Sequence, residues 1–270
     1  MRRLALVLAV LIGLTAPAWA GFAEGLAAYE RGDYATALRE LRTLANQGDA
    51  DAQHNLGLMY YKGQGVAQDY AEAVKWYRKA AEQGAARAQF NLGLLYGKGE
   101  GVPQDYSEAL KWHHKAAEQG VARAQYSIGN QYRNGKGVLQ DYAKAVKWYR
   151  KAAKQGYARA PLALGLLYEL GKGVPQDYAE AVKWYRKAAN QGNAIAQARL
   201  GFMYDNGRGV PQDYVQAHMW FNLAASRSPP GKDRDGSVKN RDIVAAKMTP
   251  AQIAEAQRLA REWKPKKEGK

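Results

Sequence analysis

Residues 49–84 read DADAQHNLGLMYYKGQGVAQDYAEAVKWYRKAAEQG, and the frame of this unit returns down the chain. Gln-Asp-Tyr stands at 68–70, 104–106, 140–142, 176–178 and 212–214, a spacing of 36 residues each time. Gly57, Gly93, Gly129, Gly165 and Gly201 keep the same step, as do Trp76, Trp112, Trp148, Trp184 and Trp220. Five copies in register mark a repeat architecture, in which each unit buries its apolar face against its neighbours.

Each unit reads as two helices. Leu56 and Tyr60 lie i, i+4 on one face of a helix over about 51–60. The glycine between them, Gly57, gives a second helix room to approach, a benefit set against the ~1 kcal/mol that Gly costs in a helix. After the loop 63–66, Asp69 opens the second helix, with Glu72 at capping-box spacing. That pair recurs as Asp105/Glu108 and Asp177/Glu180, whereas Lys144 breaks it after Asp141. Ala73, Trp76, Tyr77 and Ala80 form the expected buried stripe, and Gly84 the left-handed stop. Pro161 replaces the Gln of positions 53, 89, 125 and 197, and falls in a first helical turn, where proline is best tolerated.

The units are a shortened one at 22–48, then 49–84, 85–120, 121–156, 157–192 and 193–227. In the last, lysines of the earlier units become Met219 and Leu223, so something must cover an apolar ridge. The expected cover is a helical cap within 228–270, with helices over 237–247 and 250–263, a Pro/Gly-rich connector over 226–236 and a loose basic end from Lys264. No part of this pattern asks for a strand, so the fold class is all-α.

The start, MRRLALVLAVLIGLTAPAWA, has the three parts of a secretory leader: Arg2 and Arg3, an apolar run from Leu4 to Leu14, and Ala18-Trp19-Ala20 for cleavage after Ala20. The run falls short of the ~20 residues that span a bilayer. The expectation is therefore an exported protein of residues 21–270, periplasmic or, as the alternative, fully secreted, with no transmembrane segment. The chain has no cysteine, which removes disulfides, thiolate catalysis and cysteine-bound zinc. Its net charge of +15 favours anionic partners; an exported protein seldom meets nucleic acid, so none is expected as a partner.

The frame Ala52…Leu56-Gly57…Tyr60…Gly63…Gly65-Val66…Asp69-Tyr70…Ala73…Trp76…Ala80-Ala81…Gly84 resembles the Sel-one-like repeat, a relative of the tetratricopeptide repeat. The resemblance covers about 22–225. It implies a right-handed superhelical solenoid of antiparallel helix pairs, with first helices lining a concave face. It also implies an adaptor that binds other proteins. A cysteine-rich branch of the family is associated with penicillin-like compounds; lacking cysteine, this chain does not inherit that activity.

No catalytic constellation, cofactor motif or metal cluster is legible. His113 and His218 fall on the packed stripe, and adjacent His113 and His114 diverge by about 100° on a helix, too far to clamp one metal. Gly135-Lys136-Gly137 and its equivalents recur with the repeat and read as turns. Two ladders remain. Lys75, Lys79, Lys111, Lys115, Lys147, Lys151, Lys183 and Lys187 form one ridge, either a solvated face or a binder of an anionic envelope polymer or lipid phosphate. Arg87, Arg123 and Arg159 stand in first turns, where a cation opposes the helix dipole; Glu82 and Glu118 are their candidate local partners. His54, Phe90 and Tyr126 vary at one expected groove position, and the two large rings are not groups to leave idle on a surface. The reading is a non-catalytic scaffold that binds a segment of another, acidic protein through these residues. The alternative is the anionic polymer on the lysine ridge.

Overall fold

A computed structural model describes residues 18–265; the expected leader falls almost wholly outside the described residues, as does most of the basic end. The described residues form fourteen helices and no strand. They divide into two compact units, one ending at Ala124 and the other beginning at Gln125.

The first unit holds α1 (Ala18–Glu30), α2 (Tyr34–Asn46), α3 (Ala50–Lys62), α4 (Tyr70–Glu82), α5 (Ala86–Lys98) and α6 (Tyr106–Glu118), and ends in the first turn of α7 (Ala122–Asn134). Paired helices run antiparallel: Gly93 of α5 faces His113 of α6, while Gly97, one turn on, faces Ala109, one turn back. The absent side chain is what lets them meet. A Cβ on Gly57 would lie 2.8 Å from the Tyr77 ring, inside van der Waals contact. The cores follow the pairs, Leu41, Leu44, Leu56 and Met59 in one cluster and Val74, Tyr77, Leu92 and Leu95 in the next.

The loops tie one repeat to the preceding one through backbone. Gly101 sits at φ +72, and a Cβ there would overlap the carbonyl of Tyr70, where α4 begins. Only glycine satisfies both the left-handed conformation and the close approach. The Gln of each Gln-Asp-Tyr string closes the same loop: Gln68 Nε2 donates to the Tyr61 carbonyl at 2.8 Å, and Gln104 to Gly97 at 2.9 Å. Asp69 caps α4 by accepting from Ala71 and Glu72, but the expected reciprocal bond from Glu72 does not form. The Asp69 amide is already given to the Tyr60 carbonyl at 3.0 Å, which leaves Glu72 free to pair with Lys75.

The second unit completes α7 and adds α8 (Tyr142–Lys154), α9 (Ala160–Leu170), α10 (Tyr178–Asn190), α11 (Ala194–Asn206), α12 (Tyr214–Arg227), α13 (Lys232–Ala245) and α14 (Pro250–Glu262). Pro161 does sit in the first turn of α9, which is two residues shorter than the other first helices. The connector expected up to Gly236 is shorter than read: α13 starts at Lys232, and Asp233 and Asp235 in its first turn suit the positive end of the helix dipole. α14 opens on a full capping box, Thr249 with Gln252. Leu259, Ala260 and Trp263 lie against Met219, Trp220 and Leu223 of α12. The Trp220 and Trp263 rings meet edge to face, 6.2 Å apart, with the Arg227 guanidinium 4.4 Å from the Trp263 ring centre.

Candidate functional site

Arg87 and Arg123 occupy the second positions of α5 and α7, both exposed and both in the first unit. Neither pairs with Glu82 or Glu118; among the described residues no carboxylate lies within ion-pair distance of either. Arg123 instead lays its guanidinium over the Phe90 ring, 5.4 Å from its centre. Arg159, in the second unit, is the exposed residue preceding α9 and likewise has no carboxylate partner there. All three charges oppose the local helix dipole, and among the described residues no carboxylate pairs with them to offset it.

The rings at the neighbouring position are less exposed than expected. Phe90 is 7% exposed and packs on His113, 5.6 Å between centres. It is not an idle surface group, because Gly93 of the same helix lets the His113 ring approach and Phe90 packs against that ring. Tyr126, in the second unit, is half-buried between Tyr149 and Tyr157 at 5.4 and 5.0 Å. His54 lies 5.7 Å from the Tyr77 ring, with Nε2 3.1 Å from Asn91 Nδ2. Burial first, and the Arg87 charge second, hold its pKa below the ordinary imidazole value. Beside it Leu58, Tyr61, Tyr77, Asn91, Leu94 and Leu95 line a hollow of about 80 Å³. Burial also pushes the Tyr77 hydroxyl well above its usual range, so it stays protonated as a donor.

The lysine ridge is largely engaged. Lys75, Lys111 and Lys183 pair with Glu72, Glu108 and Glu180 at 2.5, 2.6 and 2.9 Å. Lys79, Lys115 and Lys151 sit over Trp76, Trp112 and Trp148 at 4.2–4.3 Å. Those tryptophans are therefore half-buried at the edge of the stripe and not within it. Lys187 is partly buried. Lys147 alone among the eight has no partner among the described residues, because Lys144 stands where the other units place Glu; Lys144 turns back to Asp141 at 3.4 Å.

Two features of the second unit were not anticipated. Tyr185 donates its hydroxyl to Glu169, whose other oxygen lies 3.2 Å from Arg199. A carboxylate on one first helix thus joins its own second helix to the next first helix. A groove of about 310 Å³ also runs between α11 and α13, floored by Ile195, Ala198 and Phe202. Ile195 takes the place held by Arg87, Arg123 and Arg159, so the arginine ladder ends on an apolar residue. His113 and His218 are buried, as their places on the stripe imply. Among the described residues no cluster of metal-binding side chains forms, and no helix is long and apolar enough to cross a membrane.

The Sel1 repeat model matches at 50–84, 86–121, 122–157, 158–193 and 194–229. The chain belongs to the Sel1 repeat family. A Sel1 repeat protein from Oxalobacter formigenes is 34% identical, with a TM-score of 0.72 over 93% of this chain and 99% of that one. A protective antigen of uropathogenic Escherichia coli, c5321, is 26% identical over 91% of this chain and 84% of its own, at a TM-score of 0.38. The immunity protein PA5088 of Pseudomonas aeruginosa is 22% identical over 87% and 84%, at 0.44. No curated protein matches in sequence. Sel1 repeat proteins are generally interaction scaffolds and generally non-catalytic.

Proposed function

We propose that this Sel1 repeat protein is an exported, periplasmic scaffold that binds an acidic, extended segment of another protein along its first helices. Arg87, Arg123 and Arg159 are the anchors. The observation that carries this reading is their electrostatic state: three exposed guanidiniums at helix N-terminal turns, with no carboxylate beside them among the described residues. Helix stability disfavours a cation there, so the compensating charge is expected from a ligand. Guanidinium forks take carboxylates in two parallel hydrogen bonds, and Phe90 beneath Arg123 fixes one fork in orientation. Export is supported by the three-part leader over residues 1–20. The anionic-polymer alternative draws less support from the ridge, most of whose lysines are occupied by glutamates and tryptophans.

The test is capture from a cell-envelope extract by the parent protein and by an Arg87→Glu/Arg123→Glu/Arg159→Glu variant of equal thermal stability. A protein retained by the parent, released by the variant, and mapped to an acidic segment supports the reading. Equal retention by both overturns it.

A further inference from the structure

Three departures from the repeat frame fall together in the second unit. Leu139 stands where other units have Ala67, Pro103, Pro175 and Pro211. Leu170 stands where they have Lys62, Lys98, Asn134 and Asn206, and Lys144 replaces Glu72, Glu108 and Glu180. Leu139 is 89% exposed and Leu170 56% exposed, the two most exposed large apolar side chains among the described residues.

Leu139 lies in the loop before α8 and Leu170 ends α9, and the loops beside them close on one residue, Tyr142. Gln140, next to Leu139, donates from Nε2 to the Tyr142 hydroxyl at 3.1 Å. From the other side Lys172 lies over the Tyr142 ring, 5.1 Å from its centre, and Gly173 rests against the Tyr142 backbone. Lys136 lies in the same loop as Leu139, and Lys144 in the first turn of α8. Helix α8, which starts there, carries no acidic residue at all, so Lys147 points outward without a partner. The cap Asp141 offsets Lys144 in part. Glu169 is turned away, held by Tyr185 and Arg199.

We infer that this edge docks on an anionic lipid bilayer, leucines inserted and lysines among the headgroups. A protein partner fits it less well. One leucine stands in a loop and the other at a helix end, both highly exposed and neither flooring a concavity, so they offer no groove for a helix or strand. Exposed apolar side chains beside cations match the boundary between anionic headgroups and acyl chains, where lysines gain from the surface potential and leucines from leaving water. This edge shares no residue with the arginine ladder, and the inference stands apart from that reading.

The chain lacks cysteine, so a single Leu139→Cys carries a polarity-sensitive fluorophore without competing thiols. Ala67→Cys, the equivalent loop position of an ordinary repeat, is the control. The full chain is mixed with vesicles of phosphatidylglycerol and phosphatidylcholine, and with phosphatidylcholine alone. The expected result is a blue shift at 139 with the anionic vesicles only, and none at 67. Because the dye reports position 139 itself, attachment through the apolar run at 4–14 does not mimic it. Leu139→Pro/Lys144→Glu, which restores the frame of the other repeats, is expected to weaken partitioning about a hundredfold or more, one apolar insertion and two charge units being removed. A dye at 139 that stays in water overturns the inference. So does a parent that binds polyglutamate but not vesicles, which would make the edge a site for an acidic protein.

Discussion

The side-chain amide of Gln83 donates to the side-chain carbonyl of Gln53 across 2.8 Å, from the end of one repeat to the start of the same unit's first helix. Gln53 in turn donates to the Ala45 carbonyl of the preceding unit at 3.0 Å. The relay recurs at Gln119/Gln89 and at Gln155/Gln125. A buried amide so placed has both ends satisfied, and its loss strands the groups it served. Gln53→Leu, nearly equal in volume, is expected to destabilise the protein by about 1–3 kcal/mol, read as a lower urea midpoint at unchanged slope.

The relay fails at two units, at Gln197, whose side-chain oxygen is buried without a partner because Arg227 replaces the donor Gln, and at position 161. Pro161 has no side-chain oxygen to accept from the Gln191 amide and no side-chain amide to donate onward. Pro161→Gln restores two hydrogen bonds of about 0.5–1.5 kcal/mol each and forgoes the ~0.4–1 kcal/mol by which proline restrains the unfolded chain. The expected net effect is a gain of about 1 kcal/mol, again measured in urea.

Two glycines inside helices should respond in opposite directions. A Cβ on Gly129 would lie 2.6 Å from the Tyr149 ring, so Gly129→Ala is expected to cost about 1–3 kcal/mol despite alanine's better helix propensity. At Gly97 the nearest atom outside its own helix is the Ala109 Cβ at 3.7 Å, an ordinary contact, and Gly97→Ala is expected to stabilise by about 0.5–1 kcal/mol. Thermal midpoints of the pair settle the sign.

His54 is held below its ordinary 6.5 by burial and then by Arg87, and His218 is lowered by burial and then by Arg241. Both rings fold in the neutral form, so the unfolded chain takes up protons more readily. Their contribution is fully present above 6.5 and is lost as pH falls below that value towards the folded pKa. The urea midpoint is therefore expected to decline between about pH 7 and about pH 5. His54→Phe, copying Phe90, should flatten the decline without abolishing it, since His218 remains.

Trp263 lies against Trp220 and under Arg227. Trp263→Ala is expected to cost about 2–4 kcal/mol, less than a fully buried tryptophan because the ring is half exposed. Uncovering Met219 and Leu223 should also promote self-association, visible by light scattering.

The helix pairs were legible because the repeat multiplies every weak signal by five, and because Gly57 and Tyr77 each have a reason that survives in sequence. The task of Gln68 was not: a side chain closing a loop on a carbonyl seven residues back leaves no hydrophobic period to read. Phe90 was placed at the right position but on the wrong surface, since only coordinates show that the His113 ring, admitted by Gly93, packs against it. Glu169 went unnoticed for a similar reason. It looks like one more surface acid until the Tyr185 hydroxyl and Arg199 are seen to converge on it. The unpaired state of Arg87 and Arg123 needed the structure as well, because Glu82 and Glu118 are near in sequence and their side chains go elsewhere.

The joint between repeats is made from main chain at Gly65, Gly101, Gly173 and Gly209, each against the start of the preceding second helix. A coupling that ignores side chains is the same at all four of these joints, so a gene segment encoding one repeat could be duplicated or lost by unequal recombination and still find a matching seat. Length and surface chemistry in such a protein are then free to drift independently. Lineages could differ in the number of repeats, and in which one carries a Leu139 or an Arg87, while the seam between repeats stays unchanged.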